Sequence, residues 1–210
     1  PLGLRLTDKR DLGIHTEMIT SSMGSLLRAG VVTNARKNFN TGKTIGAFAW
    51  GDQPLYDYLK ENTAVELRRA AWVNDPFQIA QNDNMVSVNT AIQIDLTGQV
   101  CSESIGPRQF SGTGGASDFA YGAFHSKGGR GIIALASTAK NGTVSKIQPT
   151  LSPGAVVSIS RNLVDYVVTE YGIAKLKNRT VRQRVENLIA VAHPDFRADL
   201  RRQADALMLW

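Results

Sequence analysis

A carboxylate and a run of glycines are the features of this 210-residue chain whose types and spacing could do chemistry. The carboxylate is Glu17, in the stretch Asp11-Leu12-Gly13-Ile14-His15-Thr16-Glu17-Met18. An ordinary glutamate, with a pKa of about 4.3, is ionised at neutral pH and can act as a nucleophile without a base. The same residue also suits a plainer task, complementing a helix dipole or capping a turn. The glycine run is Ser111-Gly112-Thr113-Gly114-Gly115-Ala116-Ser117-Asp118-Phe119. Glycines carry no Cβ, so the N–H groups of such a run can converge on a phosphate, a carboxylate or a developing oxyanion. A tight turn with packing value only is the alternative.

Each feature needs a strand and a helix to place it. Before Glu17 a short apolar, strand-like run ends at His15 and Thr16, and after it Ile19, Met23, Leu26 and Leu27 recur at helical spacing until Gly30. Glu17 is therefore expected at a strand-to-helix junction, the place where ligands bind in open α/β sheets. The glycine run lies between a strand pattern and a helical stretch holding Phe119, Tyr121 and Phe124. Elsewhere the patterns predict strands over 45–50, 65–73, 85–96, 132–136, 156–159 and 164–169. They predict helices over 55–61, 181–192 and 196–207, with His193 at a helix boundary before Pro194. Strands alternating with helices imply an α/β fold around a mixed or mostly parallel sheet flanked by helices.

Composition narrows the function classes. Hydrophobic content of 42% and charged content of 20% are those of an ordinary globular protein. No run approaches the roughly 18 consecutive apolar residues of a membrane span, and the first residues lack a signal-peptide pattern. A cytoplasmic protein without a membrane partner is expected. The lone cysteine, Cys101, has no disulfide partner and no Cys or His at ligand spacing, so it reads as a small core or strand residue and no metal is expected. A net charge of +6 would attract nucleic acid or a phosphate-bearing small molecule. Arg179, Arg182, Arg184, Arg197, Arg201 and Arg202, however, fall among Glu186, Asp195, Asp199 and Asp205 without interleaved aromatics. They read as solvated helix faces, and no nucleic-acid partner is expected.

Two nucleotide motifs fail on single positions. A dinucleotide fingerprint from Gly112 needs glycine or alanine where Ser117 stands, and a phosphate-binding loop ending Gly42-Lys43-Thr44 needs glycine where Lys37 stands. No Gly-x-Ser-x-Gly elbow is present, and His15, His125 and His193 follow no metal-binding spacing.

Several motifs in order carry a resemblance. They are the Asp11–Met18 stretch, Val88-Asn89, Asp95-Leu96-Thr97-Gly98-Gln99-Val100, Ser111–Gly115 with Asp118-Phe119, Ser137-Thr138-Ala139-Lys140, Thr169-Glu170-Tyr171-Gly172 and Ala192-His193-Pro194-Asp195-Phe196-Arg197. From about Asp8 onward the chain resembles the carboxyl-terminal half of the acetyl-CoA hydrolase/transferase family, nearest to the 4-hydroxybutyrate and butyrate CoA-transferases. That resemblance implies a CoA-transferase (NagB/RpiA-like) fold and matches Glu17 to the glutamate that carries CoA as a thioester. It implies that Asn89, Ser111, Gly112, Thr113, Gly114, Gly115 and Lys140 surround the CoA and acyl group. The loop amides would then bind the thioester or carboxylate, Asn89 would orient the reacting carbonyl, and Lys140 would complement the charge of CoA. Asn89 at a strand end and Lys140 before Asn141-Gly142 also fit purely local roles, and Glu170 either joins the site or braces a turn.

No prosthetic group is implied, with coenzyme A entering as substrate beside an acyl-CoA and a small carboxylate. Residues 1–210 are expected to form the carboxyl-terminal domain of a longer protein whose amino-terminal half is missing, with complete chains forming a homodimer. Two other readings remain open at this point: an acyl-CoA hydrolase using the same site, and a noncatalytic module that binds CoA or a nucleotide or acts as a basic nucleic-acid binder.

Overall fold

The computed structural model describes residues 2–209, and its first strand runs through Glu17 instead of stopping before it. Strand β1 (His15–Thr20) carries Thr16, Ile19 and Thr20, whose branched Cβ atoms favour extended backbone. Ile19, read from the sequence as the first apolar position of a helix, is a fully buried strand residue. Helix α1 (Ser21–Arg28) begins only after Thr20, which is still extended at φ −105° and ψ 164°. From Met23 onward the helical spacing holds: Leu26 and Leu27 are buried, and Gly30 takes the left-handed conformation (φ 69°) in which a helix ends.

The chain divides into two compact units: residues up to Met85 with Ser126–Gly128, and Val86–His125 with the residues from Gly129 onward. In the first, β1, β2 (Thr44–Trp50) and β3 (Val65–Leu67) form a parallel three-stranded sheet in that order. Helix α2 (Gln53–Leu59) is capped by Asp52, whose Oδ1 accepts from Leu55 N at 3.2 Å, and Leu55 is fully buried. The strand predicted over 65–73 ends at Leu67. Ala70-Ala71 then favours helix over strand, giving α3 (Ala70–Val73), and Asp75-Pro76 caps and opens α4 (Pro76–Ala80).

In the second unit the strand predicted over 85–96 divides between two sheets: β4 (Val86–Thr90) in one, and β5 (Gln93–Asp95) with β6 (Val100–Cys101) in another. Cys101 is fully buried there. After the hairpin β7 (Ser104–Ile105) and β8 (Arg108–Gln109) come α5 (Ala116–His125) and β9 (Arg130–Ala134). The short strands β10 (Thr138–Ala139), β11 (Val144–Ser145) and β12 (Ile147–Gln148) lead to β13 (Tyr166–Thr169) and β14 (Gly172–Lys175). The main sheet has the order β14-β13-β9-β4, parallel except for β14 at one edge, so the expected mixed α/β architecture is what the chain adopts.

Residues 156–159 form no strand. Val156 and Val157 face solvent, and one bridge, Val100 to Ile159, is all the pairing they find. Helix α6 (Val181–Val191) opens with a capping box, in which Thr180 Oγ1 accepts from Gln183 N at 3.3 Å and Gln183 Oε1 from Thr180 N at 3.1 Å. Helix α7 (Pro194–Ala206) is capped by His193, whose Nδ1 accepts from Asp195 N. The buried cluster of this unit gathers Ile133, Val167 and Ala174 from the sheet, and Leu135 just past β9, with Ala120, Val185, Leu188 and Ile189 from the helices.

Candidate active site

Glu17 lies within β1 and is half-buried. Its Oε2 accepts a hydrogen bond from Asn74 Nδ2 at 3.0 Å, and Oε1 meets no donor among the described residues. Asn74 closes α3, with its N–H bonded to Ala70 O at 2.8 Å, so the last turn of a short helix aims the amide at the carboxylate. Sequence reading missed Asn74. The signal was the order Val73-Asn74-Asp75-Pro76, where Asp-Pro starts a helix and the residue before it must end the previous element.

Two groups secure this arrangement. His15 is buried, and its Nε2 donates to Val73 O at 2.8 Å while Asn82 Nδ2 meets Nδ1 at 3.4 Å. Those partners fix the tautomer that carries its proton on Nε2. Burial pushes the His15 pKa down. The Val73 carbonyl opposes that shift, and Lys37 and Arg68 add to it. Trp72 stacks on His15 at 5.9 Å and carries the Arg68 guanidinium over its ring at 4.2 Å. Lys37 Nζ donates to Ile14 O at 3.0 Å and Lys43 O at 2.7 Å, tying the residue just before β1 to the loop that leads into β2. Burial, assisted by Arg68 and opposed by Glu66, lowers the Lys37 pKa to about 8.

The other sequence-derived candidates all belong to the second unit. Ser111, Gly112, Thr113 and Gly114 are exposed and Gly115 is buried, and a Cβ on Gly112 or Gly114 would meet nothing within 4 Å. Gly114 has φ 58°, and the N–H groups of residues 112–115 find no protein acceptor among the described residues. Gly115 O accepts from Phe119 N at 2.9 Å, so the run feeds directly into the first turn of α5. Amides without a protein acceptor ahead of a helix N-terminus are groups that can donate to an anion. Asn89 sits in β4, where its Nδ2 donates to Ser87 Oγ at 2.8 Å. Lys140 is exposed and left-handed (φ 49°) in the turn between β10 and β11, a conformation shared by Asn141 and Gly142.

A shallow hollow of about 530 Å³ opens at the carboxyl ends of β4, β9 and β13, with Thr90, Ala134, Ala136 and Val168 along it and Glu170 at its rim. Ser137 holds Glu170 from 33 residues away, through its N–H to both carboxylate oxygens (3.2 and 2.9 Å) and its Oγ to Oε1 at 2.6 Å. Among the described residues there is no group of three or more His, Cys, Asp or Glu that could hold a metal ion, and no helix is long and apolar enough to cross a membrane.

Residues 51–204 match the acetyl-CoA hydrolase/transferase C-terminal domain; Asn74, Asn89, the glycine run and Lys140 fall inside that match and Glu17 before it. The chain is 53% identical over 199 residues to the succinyl-CoA:cyclohexane-1-carboxylate CoA transferase of Geobacter metallireducens, covering 95% of this chain and 46% of that protein. It is 52% identical over 197 residues to the 4-hydroxybutyrate coenzyme A transferase of Clostridium kluyveri, covering 94% and 46%. The crystal structure of RipA from Yersinia pestis superposes with a TM-score of 0.94 at 45% identity, over all of this chain and 47% of that one. An acetyl-CoA hydrolase of Candida albicans is more distant, at 23% identity over 97% of this chain and 37% of that protein. The chain thus spans about half the length of the curated relatives it matches. Because the domain match runs through most of its residues, from the end of β2 to α7, the chain belongs to the acetyl-CoA hydrolase/transferase family.

Proposed function

We propose that the chain is the nucleophile-bearing, carboxyl-terminal domain of a CoA-transferase that moves CoA between an acyl-CoA and a small carboxylate. The observation that carries the reading is the state of Glu17, one oxygen held by Asn74 and the other without a donor among the described residues. In the first step Oε1 attacks the acyl-CoA carbonyl, the C–S bond breaks, and CoA leaves as thiolate from a mixed anhydride. The thiolate then attacks the glutamyl carbon, and the original acyl group departs as a carboxylate carrying the former Oε1. What remains is a glutamyl-CoA thioester whose carbonyl oxygen is Oε2. An incoming carboxylate runs the same steps backward and leaves as a new acyl-CoA.

Asn74 fits the second step as well as the first. Its Nδ2 already lies 3.0 Å from the oxygen that becomes the oxyanion when thiolate attacks the glutamyl carbon. Removing such a donor costs roughly 10²- to 10³-fold in rate. The free amides of residues 112–115 would serve an oxyanion or carboxylate of the substrate, Asn89 would orient the reacting carbonyl, and Lys140 would answer a negative charge of CoA. Coenzyme A enters as substrate with no prosthetic group, in a cytoplasmic homodimer of complete chains that each supply an amino-terminal half. The transferase names carried by the relatives above 50% identity favour a carboxylate acceptor over water.

The test is intact-mass analysis after incubation with acetyl-CoA, the chain being joined to its amino-terminal half. A CoA-sized adduct is expected on wild type and absent from Glu17→Ala, and an adduct that survives the substitution would sink the assignment. Acylation of added acetate or butyrate, measured as new acyl-CoA, separates transfer from hydrolysis.

A further inference from the structure

Lys37 is half-buried, and no carboxylate answers it. Its Nζ joins no ion pair among the described residues and donates to two neutral acceptors, Ile14 O at 3.0 Å and Lys43 O at 2.7 Å. The charged groups that act on it are Arg68, which disfavours its cation, and Glu66, which favours it less strongly while pairing with Lys43 at 3.6 Å and with Arg68. Two acceptors suit an amine better than an ammonium. The charged form brings three N–H donors and the neutral form two with a lone pair, so loss of the proton costs neither bond and leaves the lone pair in the remaining tetrahedral direction. The stem is seated as well. Gly13 supplies the room, because a Cβ there would stand 2.6 Å from Lys37 Cγ and 3.0 Å from its Cδ. The loop that carries this amine is at the surface, with Ala35, Arg36, Asn38, Thr41 and Gly42 all exposed.

We infer that Lys37 is an acylation site, an amine that takes the acyl group of an acyl-CoA as an amide. The inference rests on the proposed reading only for the donor, since acyl-CoA is then the protein's own substrate. The Nζ lone pair attacks the thioester carbonyl, the C–S bond breaks, CoA leaves as thiolate, and the amine proton passes to water. Charge state supports the geometry. With a pKa of about 8, roughly a quarter of the Lys37 side chains are neutral at about pH 7.5, against about one in a thousand for an ordinary lysine. The amide product keeps one N–H for two carbonyls, so either Ile14 O or Lys43 O loses its donor. Those residues directly precede β1 and β2, and acylation therefore loosens the tie between them three residues ahead of Glu17.

The experiment uses the chain joined to its amino-terminal half, as wild type and as Glu17→Ala, incubated with acetyl-CoA and digested for peptide mapping. At about pH 7.5, acetyl-Lys37 is expected to form at least about 10-fold faster than acetyl-Lys60 or acetyl-Lys127, both exposed lysines, and equally fast in the two proteins. The rate should rise with pH through a midpoint near about 8. Persistence in Glu17→Ala separates this result from the CoA adduct, which reports the transferase reading. Equal rates at the three lysines, or no acetyl-Lys37, would overturn the site. Acetylation of Lys37 that requires Glu17 would overturn direct attack on acyl-CoA. Gly13→Ala, whose methyl must displace the stem, is expected to raise the midpoint toward the ordinary lysine value of about 10.4, and a midpoint that stays in place would overturn the part given to the seat.

Discussion

Two glutamates, Glu17 within β1 of the first unit and Glu170 just beyond β13 of the second, are gripped differently. Among the described residues Glu17 has a single tether, Asn74 Nδ2 on Oε2, and its Oε1 meets no donor. Glu170, just beyond β13, has both oxygens taken by the N–H of Ser137 and one of them again by its hydroxyl. Residual burial works against the Glu170 charge, but the Ser137 hydroxyl and amide outweigh it and hold the carboxyl below its ordinary pKa of 4.5. An attacking carboxylate must offer a lone pair to an acyl carbon. One whose oxygens are both engaged offers less and braces more. Position on or beside a strand does not separate the two; under the proposed reading the count of free oxygens does.

The sharpest way to break that comparison is to remove each carboxylate in turn. Glu17→Gln in the complete enzyme is expected to lower acyl transfer at least about 10³-fold and to abolish the CoA adduct, as loss of a covalent nucleophile does. Glu170→Gln should leave the adduct on Glu17. Peptide mapping of the trapped thioester decides the matter, and an adduct on Glu170 would reverse the roles.

The tether is tested next. Asn74→Ala is expected to cost about 10²-fold in adduct formation with the substrate KM nearly unchanged, because Asn74 bonds the nucleophile. A variant with raised KM and intact turnover would mean that Asn74 binds substrate.

These expectations also mark what the sequence could tell. Glu17 stood out as a candidate by residue type and by its motif, and the glycine run by its missing Cβ atoms. The α/β architecture was legible because apolar runs alternate with helical spacing. The junction at Glu17 was misplaced because Ile19 satisfies a helical period with Met23 and a strand equally well. Asn74 stayed hidden for a different reason. It is 57 residues from Glu17, and it acquires its role only because the segment read as strand over 65–73 bends into a short helix after Leu67. The Ser137–Glu170 pair is likewise long-range, and no local pattern encodes it.

A smaller effect follows from the support beneath the tether. His15→Leu removes the donor to Val73 O and is expected to cost about 1–3 kcal/mol of stability at neutral pH, since a buried carbonyl loses its partner. The sign with pH is fixed by the lowered pKa. The unfolded chain takes up a proton on His15 near 6.5, the folded one only further down, so the stability of neutral His15 is complete above 6.5 and is lost as pH falls below it. Protonation would also turn Nδ1 into a donor facing the Asn82 amide. Urea unfolding at about pH 7.5 and about pH 5 should show the wild type and His15→Leu converging on the acid side. A gap that stays constant would mean that His15 is held for packing against Trp72 alone.

The smallest effect belongs to the brace. Ser137→Ala deletes the hydroxyl bond to Glu170 and leaves the two from the backbone N–H, so the carboxylate keeps its place while its pKa rises toward 4.5. A lowered carboxyl pKa contributes stability above 4.5 that is lost as pH falls through the folded value, and the variant should lose part of that contribution. Glu170 is exposed, so solvent screening keeps the change under about 1 kcal/mol. A carbon-detected titration of the Glu170 carboxyl would show the upward shift, and acyl transfer should fall less than about 3-fold, within about 0.7 kcal/mol of wild type. If Ser137→Ala instead slowed adduct formation as much as Asn74→Ala, the two carboxylates would be acting on the same step. The division of nucleophile from brace would then fail, whatever the number of free oxygens each one shows.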